Sequence, residues 1–425
     1  MKKKLAAILA LAMALSMTAC SSDSDSGEAA SNETTTAAEA DNAETTAKAD
    51  DEDPAEETEA ETEETTTEAE TEPPAPEVLY VEPAAEDFNY SYDAALGGVK
   101  ITGYNGEAGA IRFPAELDGD PVKEIKLGGS KITHIEIPDS VDSIGEEAFK
   151  ECKDLTGVII PNSVKTIGEY AFRDCTKLTD ITLPDSVTEI GGGAFYGCSG
   201  LKSIVIPNGV TKLLYNNYWQ HGLFTKCTGL TDVTLPDSLE AIGKNTFDGC
   251  ESLTSINIPD SVKTIEEEAF SGSGLTEITL PDNGVSVYNS AFTNCKSLKT
   301  VAIPDSVKFV YRDREWKETE NVMLETFYGC TSLTDVTIPD GVRVIDSWTF
   351  TDCSSLTDIT IPDSVEIIGY GAFSRCTKLR SLTLPDSVNK ITDDAFDGCE
   401  GLTVTYKGKE YNHTTFDALS KAANS

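Results

Sequence analysis

Ten cysteines stand at one recurring position of the chain, each three residues after a phenylalanine. Regularly spaced thiols can form disulfides, bind zinc, or pack as small apolar groups. Zinc is disfavoured because the chain has neither a C-x-x-C motif nor paired histidines. Disulfides are disfavoured because equivalent residues of stacked repeats point the same way, and because Ser273 replaces one cysteine. We expect a buried thiol ladder formed by Cys152, Cys175, Cys198, Cys227, Cys250, Cys295, Cys330, Cys353, Cys376 and Cys399.

A second recurring polar position follows a proline in each repeat and holds Asp or Asn. A calcium-binding stripe is one interpretation, and local turn chemistry is the other. The D-x-D-x-D-G pattern of a calcium loop is absent, whereas short polar side chains after a proline commonly bond to nearby backbone groups. We favour turn chemistry and predict no metal site. The row comprises Asp139, Asn162, Asp185, Asn208, Asp237, Asp260, Asp282, Asp305, Asp340, Asp363 and Asp386.

The histidines and acidic residues form no recognisable catalytic motif. His134, His221 and His413 are the only histidines, and none lies in an H-E-x-x-H sequence. A G-x-S-x-G elbow and a phosphate-binding loop are also missing. The sequence therefore predicts a protein that is not an enzyme and needs no cofactor.

Two repeats are longer than the others, by 6 and by 12 residues, and both insertions fall between a valine and the repeat phenylalanine. Insertions on one face of a repeat protein often mark its binding face, and aromatic and arginine side chains dominate interface energies. The alternative is that these side chains pack down over the core, and the sequence leaves both interpretations open. The candidate ligand-binding residues are Tyr215, Tyr218, Trp219, His221, Tyr311, Arg312, Arg314, Trp316 and Lys317.

Proline positions reveal the elements that must carry these residues. From Pro138 to Pro385, successive repeat prolines are 23 residues apart in seven of ten intervals. Within one unit, Ile181 and Leu183 alternate before the proline, which predicts a short strand with one apolar face. A unit of this size buries little by itself, but stacked units bury a continuous apolar column. The sequence predicts a repeat solenoid with short parallel strands.

The repeat can be written L-x-x-I-x-I-P-x-S-V-x-x-I-G-x-x-A-F-x-x-C, as in the unit that begins at Leu178. This motif resembles the bacterial leucine-rich repeats of the BspA type, also called Treponema-type, over residues 111 to 406. The resemblance implies an exported, non-catalytic binding protein of the kind implicated in adhesion to host matrix proteins or to other cells. It also implies a strand-rich opening and a closing strand, hairpin and helix.

These patterns predict five segments. Residues 1–20 form a signal peptide, 21–77 a disordered linker, 78–114 an N-terminal cap with a hairpin, 115–401 the solenoid, and 402–425 a C-terminal cap. The linker holds 21 carboxylates and one lysine and almost no large apolar side chain, so it cannot fold alone. We expect it to act as a tether.

The first residues read as an export signal. Three lysines precede an apolar run from Leu5 to Met17, and small residues lead to Cys20. This end resembles a bacterial lipobox, with methionine in place of the usual leucine. We expect Cys20 to be acylated and to hold the chain on the outer face of the cytoplasmic membrane, with the lipid as its only membrane contact.

Overall charge limits the choice of partner. The formal net charge of −40 argues against nucleic-acid binding, because nothing would neutralise phosphates. We predict a surface module that binds an extracellular protein and thereby mediates adhesion. The alternatives are a glycan-binding or cell-wall scaffold protein and a structural surface component. Protein binding through the arginines should be sensitive to salt, whereas sugar binding should depend on the aromatic residues.

Overall fold

A computed structural model describes residues 78–107, 109–216, 218–313, 315 and 317–425. These residues form a parallel β-solenoid of about 13 turns with the predicted 23-residue spacing, so the predicted fold class is confirmed. The predicted signal peptide, Cys20 and the linker 21–77 lie outside the described residues. Within the described ranges, no helix is long and apolar enough to cross a membrane.

The N-terminal end of the solenoid is covered by a small sheet. After a 3-10 turn at Ala85–Asp87, two antiparallel strands form the predicted hairpin. The second strand of the hairpin, Gly98–Tyr104, pairs in parallel with the strand Asp120–Ile125. That strand also pairs antiparallel with the short strand Glu116–Leu117. The predicted boundary at residue 114 is therefore crossed by strand pairing. The sheet contains β1 (Phe88–Asp93), β2 (Gly98–Tyr104), β4 (Glu116–Leu117) and β5 (Asp120–Ile125).

The segments before the repeat prolines form the first parallel ladder, which is divided into four short sheets. Their alternating Ile, Leu and Val side chains point into the core, as predicted. In the unit of Ile181 the ladder narrows to a single bridge from Asp180 to Ser203. The strands are β3 (Ala110–Arg112), β6 (His134–Glu136), β8 (Gly157–Ile159), β11 (Ser203–Val205), β13 (Asp232–Thr234), β16 (Glu277–Thr279), β18 (Thr300–Ala302), β22 (Asp335–Val336), β25 (Ser381–Leu384) and β27 (Thr403–Tyr406).

A second parallel ladder runs along the V-x-x-I-G segments, which the sequence indicated only as a return toward a turn. Its strands are mostly two residues long, and the apolar residue at the isoleucine position of each is buried. The ladder is divided into three sheets, with breaks next to the two insertions. They are β7 (Ser143–Ile144), β9 (Thr166–Ile167), β10 (Glu189–Ile190), β12 (Lys212–Leu213), β14 (Ala241–Ile242), β15 (Thr264–Ile265), β17 (Ser286–Tyr288), β19 (Lys308–Arg312), β21 (Val322–Met323), β23 (Val344–Ile345), β24 (Ile367–Ile368) and β26 (Lys390–Ile391).

The Ala-Phe segment of each coil makes a third set of bonds between coils. The backbone N–H of Phe149 donates to the carbonyl of Ala171 at 2.7 Å, and Phe172 donates to Ala194 at 2.8 Å. In most coils, two residues adopt positive φ on either side of this pair, for example Gly193 and Gly197. Most other coils place non-glycine residues there, at about 1 kcal/mol of strain each.

One phenylalanine per coil forms a continuous buried stack. The rings from Phe149 to Phe396 follow one another with centroids 5.3 to 5.8 Å apart and planes within 22° of parallel. Helix α1 (Phe416–Ala423) ends the stack, because Phe416 lies 5.2 Å from the ring of Phe396. The solenoid core is therefore one column rather than a set of separate cores.

Both ends of the ladders have partners. At the start, Val81 exchanges backbone hydrogen bonds with the edge strand β3. At the end, β28 (Lys409–Tyr411) pairs antiparallel with β27, and the side-chain amide of Asn424 bonds both backbone groups of Ile391 in β26. The implied closing strand, hairpin and helix are all present. These contacts keep free strand edges away from other chains.

Candidate functional site

The ten repeat cysteines are free thiols, and all are buried. Nine of them direct Sγ toward the carbonyl oxygen of the phenylalanine in the preceding coil, as Cys198 does to Phe172 at 3.0 Å. Cys152 starts the series with Leu127 and Ser130 as its partners. In the one unit that lacks the cysteine, Ser273 contacts the thiol of Cys295 at 3.3 Å. Each thiol thus satisfies a carbonyl inside the core.

Burial raises the pKa of nine of these thiols, to about 11 for Cys399 and well above the ordinary value for Cys175, Cys198 and Cys227. A reactive cysteine needs the opposite, an exposed thiol with a lowered pKa. These nine thiols therefore have the environment of structural groups rather than nucleophiles.

The turn after most repeat prolines is joined to the preceding coil by a serine rather than by the Asp or Asn row. The backbone N–H of Val187 donates to the carbonyl of Pro184 at 3.0 Å, which closes the turn. The hydroxyl of Ser186 then donates to the carbonyl of Val164 in the preceding coil at 2.6 Å. Among the described residues, no group of three or more His, Cys, Asp or Glu side chains could hold a metal ion.

The first insertion is a tight loop with two projecting aromatic residues. Tyr215 and Gly222 form an antiparallel bridge at its base. The backbone N–H of Trp219 donates to the side-chain oxygen of Asn216 at 2.7 Å. Tyr218 and Trp219 meet edge to face with ring centroids 4.8 Å apart, and they remain 80% and 60% exposed. For this pair, the alternative in which the aromatic residues pack down over the core does not hold.

His221 belongs to the base of this loop. Its ring stacks on Tyr196 at 4.3 Å, and its Nδ1 lies 3.1 Å from the hydroxyl of Tyr170. Burial lowers the pKa of His221, and the charges of Arg173 and Lys226 lower it further. The neutral ring is therefore favoured, and it joins the loop to the two preceding coils.

The second insertion is an antiparallel hairpin of β19 and β20 (Glu318–Glu320). Arg312 lies at its base rather than free for a ligand, with ion pairs to Glu266 at 2.8 Å and to Glu318 at 2.9 Å. Its guanidinium also lies 4.1 Å from the ring centroid of Tyr288, whose hydroxyl donates to Glu318. Arg312 thus ties the hairpin to a coil 46 residues earlier in sequence.

The other candidates of this hairpin differ in their surroundings. Tyr311 is half-buried in β19, where it pairs with Thr319. Lys317 is exposed and pairs with Glu315 at 2.8 Å. Arg314 and Trp316 lie outside the described residues.

A groove that the sequence analysis missed lies over the last coils, where Tyr328, Trp348 and Tyr370 line an open cavity of about 400 Å³. Trp348 and Tyr370 stand in units of ordinary length, and Tyr328 follows the second insertion in the longest unit. Their only signal is the aromatic type, which recurs at the equivalent positions of Tyr170 and Tyr196 but is replaced by small or polar residues in most other units.

Comparisons with known proteins agree with this architecture. A family model described as the BspA type leucine-rich repeat region matches residues 127–223, 217–313 and 317–420. The chain is similar to the solved structure of a leucine-rich repeat protein from Bacteroides ovatus, with 29% identity over 75% of this chain and 87% of that chain and a TM-score of 0.59. A leucine-rich cell surface protein from Faecalibacterium prausnitzii is similar at 29% identity over 75% and 86% of the two chains, with a TM-score of 0.49. No curated protein sequence matches the chain.

The buried thiols predict a loss of stability at alkaline pH. An unfolded thiol ionises near a pKa of about 8.5, whereas burial keeps nine native thiols protonated to higher pH. Their stabilising contribution is therefore complete below about pH 8.5 and is lost as pH rises toward the raised native pKa. In urea titrations of residues 78–425, we expect a loss of about 1.4 kcal/mol per thiol for each pH unit above that value.

A double variant tests whether the buried thiols cause this pH dependence of the free energy of unfolding. Cys227→Ala with Cys250→Ala should reduce the dependence on pH by about a fifth, while Ser163→Ala, which removes one hydroxyl bond between coils, should leave it unchanged. A slope that does not change when cysteines are removed would contradict the explanation.

The ion pairs of Arg312 predict a structural effect of its removal. Its side chain is only 14% exposed, and Arg312→Ala would leave Glu266 without its charged partner. We expect a loss of about 2 kcal/mol in the free energy of unfolding. The matched control is Lys317→Ala on the same hairpin, where both members of the ion pair are more than 60% exposed and the expected change is below about 0.5 kcal/mol. Equal effects of the two variants in urea titrations would refute this role of Arg312.

Proposed function

The chain belongs to the family of BspA-type leucine-rich repeat proteins, and from this premise we propose that it is a lipid-anchored surface protein that adheres to protein ligands. The family is one of repeat proteins that are typically non-catalytic and act in protein interaction. The finer parts of the proposal are the anchor, the adhesive role and the residues that contact the ligand. Each of these depends on particular features of this chain.

The observation that carries the proposal is the exposed pair of Tyr218 and Trp219. Large aromatic side chains supply much of the binding energy of protein interfaces. Here the bond from Trp219 to Asn216 and the ring stack of His221 hold the base of the loop. A loop that is ordered before binding loses less conformational entropy when the partner arrives. The pair therefore combines contact area with preorganisation.

The second insertion contributes in a different way. Tyr311 and Lys317 remain candidate contacts, as do Arg314 and Trp316 from their sequence positions and Tyr215 from the base of the first loop. Arg312 positions the hairpin through Glu266 and Glu318 and is a positioning residue in this proposal. The basic residues beyond it would contact an acidic partner surface.

The N-terminal sequence supports the surface location. The lysines and apolar run of residues 1–20 match an export signal, and Cys20 follows small residues as an acylated cysteine would. Residues 21–77 would then separate the solenoid from the membrane, with an extended length of about 190 Å at roughly 3.3 Å per residue. The binding face would then lie on the outside of the cell.

Binding assays with residues 78–425 test the ligand face. We expect the double variant Tyr218→Ala/Trp219→Ala to bind proteins of an extracellular-protein array at least about tenfold more weakly, because the loop loses its two largest contacts. The matched control is Tyr92→Ala, which removes a ring that is 57% exposed on the N-terminal hairpin. Equal binding by the double variant and the parent would overturn the assignment of this face. Binding to a parallel glycan array alone would instead support the glycan-binding alternative.

Fractionation of cells that express the full chain tests the anchor. Cys20→Ser should move the protein from the membrane fraction to the soluble fraction, since the lipid is the proposed attachment. Ser24→Ala changes a nearby residue without removing the thiol and should leave the protein at the membrane. Retention of the Cys20→Ser variant at the membrane would refute lipid anchoring.

A further inference from the structure

We propose that the groove of Tyr328, Trp348 and Tyr370 binds a lysine side chain carried by an exposed basic segment of a partner protein. The groove lies on the coils that follow the second insertion and contains none of the seven candidate residues of the two insertions that the structure describes. The proposal therefore identifies a second binding site and does not depend on the adhesive face described above.

The aromatic walls of the groove come from three successive coils. Trp348 and Tyr370 meet nearly at right angles, with ring centroids 5.4 Å apart and an interplanar angle of 83°. The backbone N–H of Trp348 donates to the carbonyl of Tyr370 at 2.8 Å, which fixes the two coils next to each other. Tyr328 lines the same open volume of about 400 Å³. The rings thus form a corner that is open to solvent and wide enough for a side chain.

The conformation of Trp348 belongs to its repeat position. Its φ of 56° recurs at this position in other coils, with 57° at Tyr170 and 66° at Gly193. The position accepts side chains of different size and charge, so the fold does not require a tryptophan there. The phenylalanine stack does not include Trp348, whose ring packs against Tyr370 and over Gly371 and lines the groove. This ring is therefore available to a ligand.

Negative charge surrounds these rings. Glu325, Asp394 and Asp397 line the groove. Arg375 also lines the groove, but its Nε and Nη2 both donate to the carboxylate of Asp352, with Nη2 2.6 Å from Oδ2. This ion pair compensates the positive charge of Arg375. Burial raises the pKa of Asp397, and the neighbouring charges of Asp394 and Asp417 raise it further. A cation placed between the carboxylates would relieve this repulsion.

This combination favours an ammonium group over other ligands. The faces of Trp and Tyr attract cations, most strongly where water is partly excluded, and the carboxylates add Coulomb attraction. An acidic ligand would be repelled. A neutral sugar could stack on Trp348 but would leave the repulsion between the carboxylates in place. The long alkyl stem of lysine can lie along the rings while its charged end reaches the carboxylates.

Fluorescence of Trp348 gives a direct test. The chain has three tryptophans, so residues 78–425 with Trp219→Phe and Trp316→Phe report on Trp348 alone. The probe is a blocked pentapeptide of glycine and serine with one central lysine, compared with the same peptide carrying acetyl-lysine. We expect a saturable change with the lysine peptide and at least about tenfold weaker binding of the acetylated form, because acetylation removes the charge.

Charge variants in this background separate a specific site from general attraction to an acidic protein. Glu325→Gln, Asp394→Asn and Asp397→Asn together should weaken lysine binding at least about tenfold. The control neutralises the same number of exposed carboxylates elsewhere, with Asp185→Asn, Asp237→Asn and Asp363→Asn, and should weaken it less than about twofold. Circular dichroism checks that both triple variants are folded.

Three outcomes would overturn the proposal: no saturable change with the lysine peptide, equal binding of the acetylated peptide, or equal weakening by both triple variants. A response to maltohexaose in the absence of any response to the lysine peptide would assign the groove to sugars instead. None of these outcomes affects the test of Tyr218 and Trp219, because that test reads protein binding through a different loop.

Discussion

The structure depends on the registration of one coil directly over the next. Each phenylalanine must stack on its equivalent at 5.3 to 5.8 Å, and backbone bonds join neighbouring coils along two strand ladders and the Ala-Phe segments. The cysteine that follows each phenylalanine bonds a carbonyl of the preceding coil, so that a polar group inside the column has a partner. Since every coil contacts mainly its two neighbours, the stability of the array is approximately a sum over adjacent pairs.

This registration also explains how the binding residues are positioned. Side chains that are about 23 or 46 residues apart in sequence become neighbours on the surface, as with Arg312 and Glu266 or Trp348 and Tyr370. The surface sites are therefore built across coils rather than within one loop. A rigid column beneath them allows Tyr218 and Trp219 to remain exposed without losing their orientation.

Periodic residues could be predicted from the sequence, and residues whose role depends on a neighbouring coil could not. The apolar alternation around Ile181 predicted the first ladder because strand pairing follows directly from that pattern. The second ladder escaped prediction because two residues such as Glu189 and Ile190 before a glycine are indistinguishable from a turn. Arg312 was predicted as a ligand contact since its ion-pair partner Glu266 is distant in sequence. The groove at Trp348 was missed for the same reason, because only stacking brings its walls together.

The two insertions leave the column beneath them unchanged. The rings of Phe292 and Phe327, which flank the 12-residue insertion, are 5.8 Å apart, and those of Phe195 and Phe224, which flank the shorter one, are 5.7 Å apart. These spacings match those of the regular coils. The loops and the phenylalanine column are thus structurally independent, so an insertion of either length is accommodated at the surface without any cost to the ring stacking on which the solenoid depends.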